Sequence, residues 1–216
     1  MRVSLYFGFN LYSPQLSHKD NILMNCICLI QKDLYRYHGK DDIRTLIKSY
    51  ITIPGFRYMF FLRLSRHFKD RNDCLNKILY CVLRLIVAHY RVKFGFDIPE
   101  STNIGAGFYI GHFGGIVINY RTSIGRNVNI ASGVVIGQVS RGEKKGYPTI
   151  EDNVWIGSHA IIVGNITIAT NALIAPGAYV NFNVPENAVV IGNPGKIVSY
   201  KGSHGYVCNG IDLSEC

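Results

Sequence analysis

No run of about 18 uncharged apolar residues occurs in the 216 residues, so no segment reads as a bilayer-spanning helix. The start lacks the marks of a secretion signal as well. Residues 1–23 include Pro14, His18, Lys19 and Asp20, with no uninterrupted apolar stretch and no small-residue cleavage site, and they read as a loose extension ahead of Met24. The six cysteines (Cys26, Cys28, Cys74, Cys81, Cys208 and Cys216) form no pair of CxxC motifs, and no histidine stands at zinc-ligand spacing from them. No metal site is therefore expected, and the thiols are expected free in a reducing cytoplasm. An evenly spread basic surface is missing too. The formal charge is +9, but residues 94–200 hold six Lys/Arg and six Asp/Glu, whereas residues 32–93 hold 14 against 5. That distribution argues against a nucleic-acid partner. The basic stretch reads first as solvated helix faces, and second as contact with an anionic surface, either a membrane leaflet or a lipid-linked substrate.

What the first third does have is helical periodicity. Ile27 to Tyr37 alternates with helical spacing and stops at Gly39. Asp41 or Asp42 can cap a second helix from Ile43 to Ile51, closed by Pro54-Gly55. Phe56 to Arg71 is a third, with Phe56, Phe60, Leu64 and Phe68 every four residues, and Cys74 to Phe94 a fourth. The organisation expected is a small α-helical domain over 24–95, a β domain over 96–200 and a tail over 201–216.

The β domain declares itself by a period of six. Isoleucine falls at 98, 104 and 110, then 118, 124, 130 and 136, then 150, 156, 162, 168 and 174, and Val180 closes a series of thirteen. Four residues after a mark the position is mostly small or apolar: Val128, Val134, Val154, Ala160, Ile166, Ala172, Ala178, Val184. Three residues after it stands Asn or Gly: Gly107, Asn127, Gly133, Asn153, Asn165, Asn171, Gly177, Asn183. A plain strand repeats every two residues, so a period of six means that the chain turns a corner after each short strand. Asn and Gly tolerate the left-handed backbone of such corners. Three strands make one triangular coil, and thirteen marks give a little over four coils, a prism about 20 Å long at the usual inter-strand spacing. The fold expected is mainly β, a left-handed parallel β-helix of hexapeptide repeats behind a small helical domain. Two extra residues interrupt the series before Ile118 and eight before Ile150. The second insertion, around Gln138 to Pro148, must leave the prism as a loop, where repeat folds place their binding sites.

Phe96-Asp97-Ile98-Pro99, Ile104-Gly105-Ala106-Gly107, Gly111-His112 with Gly115-Ile116-Val117, Tyr147-Pro148-Thr149-Ile150 and Gly192 to Val198 together resemble the serine acetyltransferase branch of the left-handed β-helix acyltransferases. The resemblance covers Phe96 to Ser199. It implies a homotrimer with active sites between subunits, and acetyl-CoA as donor. The catalytic histidine falls on His112 and its supporting aspartate on Asp97. The coenzyme A groove falls near Gly137, Gln138, Ser158, Pro176 and the tail through Lys196. The family's aspartate before the catalytic histidine is replaced by Gly111, its histidine before the loop proline is replaced by Tyr147, and its acidic substrate contact from the helices has no counterpart around Ser49 to Phe56. With Arg141 in the loop, these positions suggest an acceptor other than serine, and the chain looks closest to relatives that O-acetylate sugars in surface polysaccharide biosynthesis.

The chemistry such a site needs is modest. A thioester is already activated, so transfer to a hydroxyl needs a base and donors for the developing oxyanion. A histidine titrates near neutrality and suits the base. Asp97 would accept its other ring N–H, and the backbone N–H groups of Gly114 and Gly115 are the candidate oxyanion donors. His159 occupies a corner slot and reads as a turn residue, while His38, His67, His89 and His204 lie outside the repeat. Two other readings are a serine O-acetyltransferase of cysteine biosynthesis and a non-catalytic trimeric scaffold. A β-helix carbonic anhydrase would need three histidines around zinc, and the repeat holds two.

Overall fold

The computed structural model describes residues 18–69, 71 and 73–211. The extension expected at the start falls largely outside them, and helix α1 (His18–His38) begins before Met24. Gly39, at φ 63°, ends α1 as the pattern implied. α2 (Ile43–Thr52) starts on Asp42, whose carboxylate accepts the Thr45 N–H at 2.9 Å. Pro54, expected to close α2, instead opens α3 (Pro54–Lys69), since proline at the first helical position loses only a hydrogen bond that the helix end lacks anyway. α4 (Cys74–Phe94) ends at Gly95 in the left-handed conformation.

The rest winds as a left-handed parallel β-helix of two- to four-residue strands in three sheets. The first sheet stacks β1 (Phe96–Asp97), β4 (Ile116–Ile118), β7 (Val135–Gly137), β10 (Ile161–Val163) and β13 (Tyr179–Val180). The second stacks β2 (Asn103–Ile104), β5 (Ser123–Ile124), β8 (Thr149–Ile150) and β11 (Thr167–Ile168). The third stacks β3 (Tyr109–Ile110), β6 (Asn129–Ile130), β9 (Trp155–Ile156), β12 (Leu173–Ile174), β14 (Val189–Ile191) and β15 (Lys196–Ser199). Every pairing is parallel except β14 with β15, which doubles back antiparallel and closes that end of the sheet. All thirteen marks are buried, as are the small residues four positions on.

The corners follow the pattern with two informative departures. Gly107, Asn127, Gly133, Asn153, Asn171 and Gly177 all have positive φ, and so does His159 at 60°. Asn165 and Asn183 do not. At the first of these corners Gly164 takes the positive φ, 97°, because the inserted loop leans on the corner and the Asn165 N–H donates to the Lys144 carbonyl at 3.0 Å. Asn183 serves by its side chain, which accepts the Thr167 N–H at 2.9 Å.

A β-helix has open ends, and the strand edges there need partners. The helices supply them at the first coil. Tyr37 accepts the Ile110 N–H at 3.1 Å, Asp33 accepts the Phe108 N–H at 2.9 Å, and the Tyr58 hydroxyl donates to the Ile98 carbonyl at 2.7 Å. Arg63 pairs with Asp33 at 3.0 Å and donates to the carbonyls of Ile104 and Gly105, both at 2.6 Å. Tyr58, Met59, Leu62, Val87 and Phe94 join the prism's own apolar core, so helices and first coil share one interior. The free-thiol expectation holds for Cys26, Cys74, Cys81 and Cys208 but not for Cys28, which is disulfide-bonded.

Candidate active site

His112 follows β3 at the edge where the third sheet gives way to the first. The two-residue insertion lies here, and it pushes the corner outward, leaving His112 exposed. The next residues explain the shape. Phe113 leans toward Phe94, with ring centroids 6.3 Å apart, and Gly114 and Gly115 take φ of 105° and 67°. A side chain at Gly115 is disfavoured by that backbone rather than by space, since only Gly133 lies near. Coil-to-coil bonding then resumes. The Gly114 carbonyl accepts from Gly133 at 2.9 Å and Ile116 donates to Gly95 at 3.1 Å. Among the described residues the N–H groups of Gly114 and Gly115 meet no acceptor. One corner therefore presents an imidazole and two unspent backbone donors.

Asp97 lies in β1 on the adjoining first sheet, opposite Val117. Its carboxylate pairs with Arg91, both side chains being 48% exposed, and among the described residues no hydrogen bond joins it to His112. The link expected from Asp97 to the imidazole is thus not formed in the single chain.

The remaining expected residues divide between two edges of the first sheet. Gly111, Ser158 and Pro176 lie on the edge that carries His112. Coils stack closely there: Gly177 donates to the Ser158 carbonyl at 2.8 Å, and a side chain on Gly157 would meet the Pro176 nitrogen at 2.6 Å. Lys196 opens β15 on the third sheet and is exposed. Gly137, Gln138, Arg141 and Tyr147 belong to the opposite edge, where the first sheet passes to the second. The inserted loop there is a small hairpin, closed by reciprocal bonds between Val139 and Gly146 at 3.0 and 3.1 Å. Among the described residues Gln138 reaches Ser140 alone, at 3.3 Å. No single chain brings His112 to the loop: the width of a whole prism face separates them.

Arg121, not singled out from the sequence, organises the loop edge. Its guanidinium donates to the Tyr147 hydroxyl at 2.7 Å and lies over the Tyr120 and Tyr147 rings, 5.3 and 5.2 Å from their centroids. Tyr120, then Tyr147, push its pKa further above the ordinary arginine value. The available signal was the adjacent Tyr120-Arg121 pair at a corner otherwise occupied by small residues.

With this geometry established, the kinships are informative. Residues 147–181 match the family model described as bacterial transferase hexapeptide (six repeats). Over 175 residues the chain is 32% identical to a serine acetyltransferase of Bacillus pumilus and 35% identical to one of Bacillus subtilis, covering 81% of this chain and 78% of each relative. The crystal structure of a Neisseria gonorrhoeae serine acetyltransferase in complex with serine superposes with a TM-score of 0.64 at 29% identity, over 84% of this chain and 71% of that one. These findings overturn the sugar-acetylating, surface-polysaccharide reading of the sequence. That reading leaned on Gly111 and Tyr147 standing where the family has its substrate contacts. In the structure the Tyr147 hydroxyl accepts from Arg121, whose guanidinium also lies over the ring. The chain belongs to the serine acetyltransferase family of hexapeptide-repeat acyltransferases and is an acetyl-CoA-dependent acyltransferase.

Proposed function

We propose that the protein transfers the acetyl group of acetyl-CoA to the hydroxyl of L-serine, a step of cysteine biosynthesis. The kinship over four-fifths of the chain carries this reading, and the corner at His112 supports it. In the reaction the neutral imidazole of His112 removes the serine hydroxyl proton as the oxygen attacks the thioester carbonyl. The Gly114 and Gly115 N–H groups receive the negative charge that develops on the carbonyl oxygen. The C–S bond then breaks, and the coenzyme A thiolate leaves with the proton held by the imidazolium. Asp97 orients the ring once its pair with Arg91 exchanges for the imidazole. That pair is half exposed on both sides, and such ion pairs are worth little.

Ser158, Pro176 and Lys196 border one edge of the groove for coenzyme A, and Gly137 and Gln138 the other. The site we infer joins His112 of one subunit to Arg141 and Tyr147 of the next in a homotrimer. The separation of these residues on one chain supports that reading, because a two-edged site on one prism face is completed by a second copy. The test is a steady-state assay with acetyl-CoA and L-serine, with free thiol release and O-acetylserine followed together. Saturable formation of O-acetylserine is expected. Thiol release that is independent of serine, with no acetylated amino acid, would overturn the assignment.

A further inference from the structure

The outer face of the third sheet carries a cleft apart from the acyl-transfer corner. Register places Tyr109, Asn129 and Trp155 side by side on β3, β6 and β9, and alternation turns all three outward, away from Ile110, Ile130 and Ile156. Arg36 and Tyr37 at the end of α1 close one side. The tail beyond β15 closes the other, where Tyr206 packs on Trp155 with centroids 5.0 Å apart. Tyr37 and Tyr109 pair likewise at 4.4 Å. The cleft is half open to solvent and holds about 280 Å³, the size of a small ligand rather than of a few waters.

Two features say what chemistry would fill it. Tyr109 and Trp155 stand two strand spacings apart, roughly 9.6 Å, with only the carboxamide of Asn129 between them. The Tyr109 and Trp155 side chains are longer than that buried carboxamide, so a planar ring seated over it would lie about 4.8 Å from each, within stacking range. Arg36 is the second feature. It is 2% exposed, and its guanidinium donates to the Cys208 carbonyl at 3.0 Å and to the Asn129 side chain, while Nε meets no acceptor. Among the described residues no carboxylate pairs with it, Asp33 being taken by Arg63. A buried guanidinium with neutral acceptors alone is costly, and an anion offers the missing partner.

We propose that this cleft binds a small organic anion built on a planar ring, the ring between Tyr109 and Trp155 and the acidic group toward Arg36. The proposal does not depend on the acceptor in the acyl transfer. Trp155 is the sole tryptophan of the chain, so its emission reports this cleft alone. The full-length protein is titrated with AMP and with salicylate as ring-bearing anions, with adenosine as ring alone and with inorganic phosphate as charge alone. Thermal unfolding serves as a second readout. AMP or salicylate should quench Trp155 saturably and raise the unfolding midpoint, with adenosine and phosphate binding at least about tenfold more weakly. Tyr206→Ala removes the ring that packs on Trp155 and closes that side of the cleft, and should weaken that binding about tenfold while leaving acetyl transfer unchanged. Arg36→Lys should weaken it further. If that variant fails to fold, Tyr206→Ala still decides. The proposal is overturned if neither ring-bearing anion moves emission or midpoint, if phosphate alone binds as tightly, or if Tyr206→Ala leaves the affinity intact.

Discussion

At the scale of single residues, the outcome turns on which side chains are left unsatisfied. Most corners spend one backbone N–H on the neighbouring coil, as Gly133, Asn153 and Asn171 do, whereas Gly114 and Gly115 both keep theirs beside an exposed imidazole. His112 drew attention in the sequence because it sits beside an insertion and at the position where the resemblance puts the catalytic histidine. Arg121 did not, since its partner Tyr147 arrives from a loop 26 residues away. His112→Ala should leave a folded protein whose acetyl transfer falls by roughly 10²–10⁴, the usual worth of a positioned base. Thiol release at saturating substrate, with circular dichroism as the folding control, checks this. Turnover near that of the parent protein would remove His112 from the role.

At the scale of elements, the strands are too short to be stable alone, and each exists because the next coil covers its edge. This explains the Ile-Gly pairs at 104–105, 124–125 and 156–157. A side chain on Gly105 would come within 2.5 Å of the Gly125 carbonyl oxygen, which belongs to the backbone of the coil above and cannot turn aside. The same logic makes the helical cap essential. Arg63 is buried, and its guanidinium holds Asp33 on α1 and two carbonyls of the first coil at once. Arg63→Met keeps the volume but leaves Asp33 buried without its partner. Stability should fall by about 3–5 kcal/mol, as when one half of a buried pair is removed. Urea unfolding of the two proteins measures the difference, and a loss below about 1 kcal/mol would mean that the cap contributes little. The periodicity in the sequence located the four helices of the described residues. It misplaced Pro54, because proline marks a helix start as readily as an end, and only the packing of α3 on α1 and α4 distinguishes the two.

At the scale of the whole molecule, the proposed site is divided between two edges of one prism face. That division leads to a prediction that a self-contained site would not share. A His112→Ala chain and a Tyr147→Ala chain, each impaired alone, should regain activity when assembled together. In randomly mixed trimers about a quarter of the inter-subunit sites receive an intact His112 from one chain and an intact loop from the other. Co-expression with separable tags, followed by assay of the doubly tagged fraction, measures the recovery. Activity no higher than the sum of the two separate variants would place the site within one chain. Light scattering on the parent protein should give the mass of three chains.

The sequence by itself determined the β-helix, because a side chain at every sixth residue must either face the shared core or face water, and thirteen in register admit one winding. It also determined most corners, since a left-handed backbone selects Asn and Gly locally, without reference to the rest of the fold. It could not decide what the exposed positions between them do. Gly111 and Tyr147 suggested a change of acceptor because each stands where the family keeps another side chain, and the kinship over four-fifths of the chain overturned that suggestion. Distance in space, and therefore partnership, is set by how coils stack and by which edge each residue occupies. The tertiary structure placed Tyr147 under Arg121, gave Asp97 to Arg91, and assembled the aromatic cleft from α1, three strands and the tail, segments with no local pattern in common. Burial of apolar residues leaves a periodic trace in a sequence, but contacts between polar side chains distant along the chain leave none.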